Sequence, residues 1–405
     1  MGRSWKLNLF ALWLGCFLVG LSMSQILPFL PLYLQELGVH GQADLSWWSG
    51  LIFSGSFITA AIVSPFWGKL ADQKGRKLML LRASLGMAVL MTMQGFVIAP
   101  WQLLVLRMLM GLTSGYIPNA MALAAAEMPK GKTGWAMGTL TTGQICGVIL
   151  GPLIGGAMAD CIGYRIVFVV TGALLFCCFL TTVWLVQEQY FVKPAKGAPT
   201  MSRKEVFATL AAPGLVIALC VATMMIQFAN ASINPILTLF VAQLTPNHHN
   251  LAFISGVIAA LPGMSALLSA PTLGRLGDRI GSGRILLVAL TATAALLLAV
   301  SLVENTFELG SLRFLMGFTD GAMMPAVQTL LAQQVNKKVL GRVFGYNQSF
   351  LYFGNVVGPL LGAGVSAWVG YRWVFVVTAF LVLLNLIQMA YYLRQPQAVQ
   401  ARHHS

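Results

Sequence analysis

Long apolar segments follow one another along almost the whole chain, and mostly short polar stretches separate them. Each segment holds about 20 residues or more, enough for one α-helix to cross a hydrocarbon layer of about 30 Å. The pattern predicts an all-α polytopic membrane protein with twelve transmembrane helices in two six-helix halves. The predicted helices cover residues 8–34, 48–68, 78–99, 101–126, 134–159, 164–187, 209–243, 251–273, 284–303, 308–332, 342–367 and 371–393.

One longer polar stretch interrupts the pattern near the middle of the chain. Residues 188–208 carry four Lys and Arg residues and contain no long apolar run. This stretch predicts a linker on the cytoplasmic side. The expected organisation is an N-terminal six-helix half (1–187), a cytoplasmic linker (188–208), a C-terminal six-helix half (209–393) and a cytoplasmic tail (394–405).

The two halves carry an internal repeat at an offset of 206 or 207 residues. LRMLMGLTSG (106–115) matches LRFLMGFTDG (312–321), and GYRIVFVVT (163–171) matches GYRWVFVVT (370–378). Matching segments cross the membrane in the same direction, so the repeat is parallel, with its axis along the membrane normal. Two-lobed rocking transporters have this symmetry, with the substrate site between the lobes.

Charge is scarce and unevenly distributed. Only 9% of residues are charged, yet the formal net charge is +14. All Lys and Arg lie in the N-terminus, alternate loops, the linker or the tail, except Arg107, Arg165, Arg313 and Arg372. By the positive-inside rule both termini are cytoplasmic. Membrane lipids with acidic headgroups, and no nucleic acid, are the partners expected from this charge.

Several classes of chemistry have no support in the sequence. The six cysteines lie in or beside apolar segments without metal-ligand spacing, and we interpret them as core residues. The sequence shows no nucleotide-binding loop, catalytic triad or paired catalytic carboxylates. We therefore expect no enzyme, no metal and no cofactor, and we expect an ion gradient to supply the energy.

A charged turn occurs at the same place in both halves. GKLADQKGRKLML (68–80) has a weaker copy, GRLGDRIGSGR (274–284). Its glycines permit a tight turn and close helix approach, and its dense charges mark a short aqueous loop that joins two membrane helices. The candidate gating residues are Gly68, Asp72, Gly75, Arg76, Asp278 and Arg279.

The fifth predicted helix carries small residues mainly every four positions. Such spacing gives one smooth face that lets membrane helices approach closely, and a proline within it bends the helix. A tightly packed face of this kind also seals against proton leak. Its residues are Gly147, Gly151, Pro152, Gly155 and Gly156.

Three charged residues, Arg107, Arg313 and Asp320, qualify as charges within the membrane itself, where charge is costly and function is the first hypothesis. Asp320 is about twelve residues into its helix, roughly 18 Å from the start and near mid-membrane. Its repeat mate is Ser114, so symmetry does not require an acid. Two interpretations remain open: a proton-coupling site, or a permanent Asp–Arg pair that holds helices together.

The first, fourth, seventh and tenth helices are expected to line the substrate cavity with their neighbours. A mostly apolar pocket with a few adaptable polar groups suits amphiphilic ligands. The polar candidates are Gln25, Tyr33, Tyr116, Asn119, Gln227, Asn230, Asn234 and Gln328.

These motifs resemble those of the major facilitator superfamily. GKLADQKGRKLML is similar to its loop 2–3 signature, and GVILGPLIGG (147–156) is similar to the antiporter motif in helix five of its exporters. The resemblance covers nearly the whole chain and points to the twelve-helix drug:proton antiporters. It places Asp72 against the start of helix eleven and links Arg107 to proton transfer. Gln25 departs from several drug exporters, which carry an acid in helix one.

The resemblance implies a proton-coupled multidrug exporter of small amphiphilic molecules, monomeric, in the bacterial inner membrane and working by alternating access. One alternative is an exporter of a specific sugar or metabolite. Another is a non-transporting membrane sensor on the same fold. The low charge of the predicted cavity disfavours a strongly ionic substrate, and a sensor would not need Asp320 or the glycine face.

Replacing Asp72 with Asn should leave the protein inserted in the membrane but impair export, because the carboxylate no longer attracts the positive end of helix eleven. Survival of expressing cells in toxic compounds, with protein level measured alongside, checks this. Asp278→Asn should do less, since SGR after Gly281 has diverged from the RK pattern. Normal export by fully expressed Asp72→Asn protein would contradict the gating role.

Overall fold

The computed structural model describes residues 4–128, 132–188, 210, 212–245, 250–335 and 339–394, and these are almost entirely helical. In chain order the helices are α1 (Ser4–Ser24), α2 (Leu30–Glu36), α3 (Gln42–Lys74), α4 (Arg76–Gln94), α5 (Pro100–Thr113), α6 (Tyr116–Glu127), α7 (Thr133–Ile162), α8 (Tyr164–Leu185), α9 (Pro213–Ile233), α10 (Leu237–Leu244), α11 (Leu251–Ile280), α12 (Ser282–Val300), α13 (Thr306–Gln334), α14 (Leu340–Val369) and α15 (Tyr371–Arg394).

The predicted all-α fold is confirmed, with helix in every predicted segment. Nine helices of the described part are long and apolar enough to cross a membrane by length and composition. The first, fourth and seventh predicted helices are each divided in two, as α1–α2, α5–α6 and α9–α10. Predicting them as continuous was wrong, because local breaks were hidden within long apolar runs.

Proline explains two of these breaks. Pro28 and Pro235 lie between the paired helices, and each lacks the N–H that a continuing helix would donate. The carbonyl groups freed at the first break find a partner, since the Thr238 hydroxyl donates to the oxygens of Leu27 (3.3 Å) and Pro28 (3.0 Å). The third break, between α5 and α6, centres on Gly115, whose φ is +111°.

The internal repeat extends to the backbone conformation of the turns. Gly75 and Gly281 have φ of +93° and +97°, and Gly163 and Gly370 have φ of +83° and +105°. Each pair separates two corresponding long helices. A side chain at any of these sites would be strained, which explains why both copies of each turn keep glycine.

By its internal contacts the chain divides into two compact units. The first unit comprises Met1–Lys196 and Pro235–Gly263, and the second comprises Gly197–Asn234 and Met264–Ser405. Within the first unit, α1 packs along α7 and α4 along α8. Within the second, α9 packs along α14 and α12 along α15, so each unit repeats the same helix pairs. The predicted residue boundaries of the halves, linker and tail stay a prediction.

Candidate functional site

Asp320 and Asn230 meet beside a small cavity in the second unit. The Asn230 side-chain amide donates to Asp320 Oδ1 at 3.4 Å, and both side chains are partly exposed. The cavity has a volume of about 10 Å³, room for about one water molecule. It is lined by Met225, Ile226, Ala229, Asn230, Leu290, Thr293, Met316, Asp320, Met323, Val382 and Asn385.

Arg313 lies two helical turns before Asp320 on α13 and is 6% exposed. Its Nε has no hydrogen-bond partner among the described residues, and within this part of the chain no ion pair joins Arg313 to Asp320. The carboxylate is therefore not held in a direct Arg–Asp pair in this structure.

Arg107 is the repeat mate of Arg313 and lies in α5 of the first unit. It is 5% exposed, and its Nε and Nη2 have no partner among the residues that the structure describes. Buried guanidinium N–H groups without acceptors are costly. Each half thus contains one buried arginine whose guanidinium group has at least one nitrogen atom without a hydrogen-bond partner among the described residues.

The turn of the gating motif is bound by Glu188, the residue that follows the sixth predicted helix. Glu188 accepts hydrogen bonds from the backbone N–H groups of Arg76 (2.8 Å, Oε1) and Lys77 (3.0 Å, Oε2). The carboxylate therefore caps the N-terminus of α4, where the helix dipole also favours a negative charge. A Cβ at Gly75 would lie 2.7 Å from Glu188 Oε2, and the φ of +93° at this residue is what requires glycine.

The other gating residues are less well defined by contacts. A Cβ at Gly68 would meet nothing within 4 Å, and Arg279 is exposed. The side chains of Asp72 and Asp278 lie outside the described part of the structure. Their roles stay predictions.

A second contact of the same turn region was not predicted from the sequence. Trp67 Nε1 donates to the oxygen of Leu112 (2.8 Å), and Arg82 Nη2 donates to the oxygens of Thr113 (3.3 Å) and Ser114 (2.6 Å). The Arg82 guanidinium also lies 3.6 Å from the centre of the Trp67 ring. Together they cap the three carbonyl groups freed at the α5–α6 break.

A signal for this cap was present in the repeat. The positions that match Trp67 and Arg82 in the second half are Leu273 and Val288, and the matching helix α13 is unbroken. The Trp–Arg pair therefore accompanies a break that only one half contains.

The glycine face of α7 packs directly on α1. Added Cβ atoms at Gly147 and Gly155 would contact the backbone oxygens of Phe17 and Gln25, and one at Gly151 would lie 2.8 Å from the oxygen of Leu21. Gly156 approaches the backbone of Ala252 at the start of α11, and Pro152 approaches Gly256. Both contacts lie within the first unit. The five residues therefore divide between two close contacts: Gly147, Gly151 and Gly155 approach α1 and the residue after it, and Pro152 and Gly156 approach α11. Their role in sealing against proton leak stays a prediction.

The remaining cavity candidates fall into two groups. Gln25, Tyr33 and Tyr116 are at most 1% exposed. Gln25 Oε1 accepts from Thr171 (2.8 Å), Tyr33 donates to the oxygen of Gln94 (2.9 Å), and the Tyr116 and Thr182 hydroxyls lie 3.2 Å apart. The second group is at least partly exposed and comprises Asn119, Gln227, Asn234 and Gln328.

Comparisons with known proteins show which class of protein this chain belongs to. The sequence profile of the Major Facilitator Superfamily matches residues 12–225 and again 219–404. The structure is similar to that of a bacterial homologue of the human lysosomal transporter Spinster in an inward-facing, unoccupied conformation (TM-score 0.77, 16% identity, 97% of this chain and 98% of that chain). It is also similar to the nucleoside transporter NupG (TM-score 0.79, 13% identity, 96% and 99%). The chain belongs to the Major Facilitator Superfamily and is a transporter, not an enzyme.

Two curated relatives narrow the class. The chain is 54% identical over 382 residues to the multidrug resistance protein MdtG of Rahnella sp. (strain Y9602), covering 94% of this chain and 92% of that protein. It is 53% identical over 395 residues to MdtG of Klebsiella pneumoniae (strain 342), covering 98% and 95%. The resemblance to the superfamily and to its multidrug exporters is thereby confirmed.

The packing of α7 on α1 predicts that Gly151→Leu disrupts the first unit, because the new side chain has no room against Leu21 and Ser24. We expect a loss of about 1–3 kcal/mol of stability, measured as a lower unfolding temperature, and reduced export. Gly138→Leu is the matched control on the same helix, since an added Cβ there meets nothing within 4 Å. Equal stability of the two variants would show that the face is not closely packed.

The Glu188 cap predicts a graded loss of stability. Glu188→Ala removes both acceptors of the Arg76 and Lys77 N–H groups and should cost about 0.5–2 kcal/mol. Glu188→Gln keeps one oxygen acceptor but no charge and should lie between Ala and the native protein. Thermal unfolding of the purified variants measures the order. Native-like stability of Glu188→Ala would contradict the capping role.

Proposed function

We propose that the protein exports small amphiphilic molecules across the bacterial inner membrane in exchange for protons, with both termini in the cytoplasm and as a monomer. The observation that carries the proposal is the identity of over 50%, across almost the whole length, to proteins named for multidrug resistance. The motifs of the sequence and the placement of Asp320 support the exchange mechanism.

The proton role rests on Asp320. It is the one acidic residue that lines the described cavity, it is not paired with Arg313, and its only described hydrogen-bond partner is a neutral amide. Such a carboxyl group can take up a proton from one side of the membrane and release it to the other side as its surroundings change. One proton returning across 100 mV supplies about 2.3 kcal/mol, enough for a roughly 50-fold gradient of a neutral solute.

Substrate binding is assigned to the polar side chains that remain accessible. Asn119, Gln227, Asn234 and Gln328 can each donate and accept hydrogen bonds without carrying a charge. Neutral amides among apolar side chains suit ligands that are themselves partly apolar. Tyr33 and Tyr116 are buried and hydrogen-bonded inside the first unit, so we assign them a supporting role in helix packing. Gln25 Oε1 is bonded there as well, whereas its buried Nε2 has no partner among the described residues.

The broad function is tested by survival of cells that lack their main efflux pumps. Expression of the protein should raise tolerance to several chemically unrelated amphiphilic compounds, and an inactive, fully expressed variant should not. Tolerance to a single sugar or metabolite alone would favour a specific exporter. No change for any compound would contradict export of toxic molecules.

Asp320→Asn should fold and bind drug but lose exchange driven by a pH gradient in proteoliposomes, because the amide cannot carry a proton. Asp44→Asn makes the same chemical change at an exposed helix start and is the matched control. If Asp320 instead holds helices together electrostatically, the variant should unfold at lower temperature and a second change at Arg313 should restore stability. Intact proton-coupled flux in Asp320→Asn would remove Asp320 from the mechanism.

A further inference from the structure

Asn385 on α15 is a polar residue buried at the same cavity as Asp320. It is 1% exposed, and it lines the cavity together with Asp320, Asn230 and Thr293. Neither its side-chain oxygen nor its side-chain nitrogen has a hydrogen-bond partner among the described residues. Buried amides in native proteins are almost always hydrogen-bonded, to protein or to an ordered water molecule.

The polar lining of this cavity is specific to the second half of the chain. Its four polar members come from α9, α12, α13 and α15, and none of their repeat mates is an amide or an acid. Asn230, Thr293, Asp320 and Asn385 correspond by the repeat offset to Met23, Met87, Ser114 and Cys178. The fold thus tolerates small or apolar residues at these places, and the polar cluster has a role beyond helix packing.

We propose that this cavity binds one water molecule, held by the Asn385 amide and hydrogen-bonded to the Asp320 carboxyl group. Asn385 is then a positioning residue for proton exchange. The inference rests on the proposed role of Asp320. A volume of about 10 Å³ accommodates one water, which can accept from Asn385 Nδ2 and donate to both Oδ1 and the carboxylate.

A bound metal cation fits the cavity less well than water. A cation would coordinate Asn385 Oδ1 but would leave Nδ2 without a partner. Hard cations also require several oxygen ligands, whereas Met225, Met316 and Met323 supply sulfur and carbon to this lining. Water satisfies both ends of the amide and needs only two to four partners.

The electrostatic surroundings of Asp320 are otherwise nearly neutral. Arg313, on the same helix, is the charged neighbour among the described residues. The helices packed on α13 contribute neutral groups near this level: Met225 and Asn230 from α9, Ser265, Ala266 and Ser269 from α11, Leu290 and Thr293 from α12, and Val382 and Asn385 from α15. Loss of the water should therefore be visible in the titration of Asp320.

The test uses infrared spectra of the purified full-length protein. The band of the protonated Asp320 carboxyl is identified by its absence in Asp320→Asn, and its pH midpoint is measured without any substrate. Two variants should both move the pH midpoint upwards, to a proton concentration about tenfold lower. They are Asn385→Cys, which copies Cys178 of the first half, and Asn385→Leu. The direction follows because the water donates a hydrogen bond to the ionised carboxylate and favours that form.

A second readout reports the water itself. Replacing the solvent with H₂¹⁸O should shift a pH-dependent water O–H band in the native protein, and this band should be absent in Asn385→Leu. Met389→Leu is the matched control, a buried position on the same helix outside the cavity lining, and should leave both signals unchanged. Native-like unfolding temperatures verify that each variant is folded.

Each contrary outcome has a defined meaning. An unchanged midpoint and an unchanged water band in both folded Asn385 variants would overturn the water site while leaving the role of Asp320 intact. If the pH midpoint of the native protein shifts when choline replaces Na⁺, a cation site would replace the proposed water site. Proton-coupled flux that persists in Asp320→Asn would instead defeat the proposed function.

Discussion

The cost of leaving a polar group without a partner in hydrocarbon governs this structure. Backbone N–H and C=O groups in a membrane must be satisfied within the protein, so the spanning segments are helices and every break needs a cap. At the first break Thr238 donates to Leu27 and Pro28, and at the break in the fourth predicted helix Trp67 and Arg82 serve three carbonyl groups. At these two breaks, side-chain donors fixed nearby offset the cost of interrupting the helix.

The same constraint explains how the helices associate. Lipid is as apolar as a leucine surface, so burial of apolar area gives little drive for helices to meet, and close backbone approach becomes important. Glycine supplies that approach in both units. Gly147 of α7 approaches the backbone of α1, and in the second unit Gly358 of α14 approaches the backbone of α9 at Phe228. The repeat thus preserves one packing rule twice, although other residues on the two faces have diverged.

Features with a local pattern in the sequence could be predicted, and features that depend on distant residues could not. Helix positions, the repeat and the glycine face follow from periodicity and spacing, and the structure contains all three. The cap at Glu188 was missed because its partners, Arg76 and Lys77, are more than a hundred residues away. Asn385 was missed because one asparagine in a long apolar helix has no motif. Tyr33 and Tyr116 were considered cavity residues because a sequence does not reveal which side of a helix meets a neighbouring helix.

The most informative positions are those where the two halves differ. A duplicated fold needs the same packing in both halves, so matched residues such as Arg107 and Arg313 serve requirements that both share. A polar residue in one half whose repeat mate in the other half is apolar or small is not required by that common scaffold. Asp320, whose repeat mate is Ser114, and Asn385, whose repeat mate is Cys178, are such residues, and both line one cavity. A carboxyl group and an amide at this mostly apolar cavity are costly and are not required by the repeat, and the proposed proton exchange gives them a physical reason.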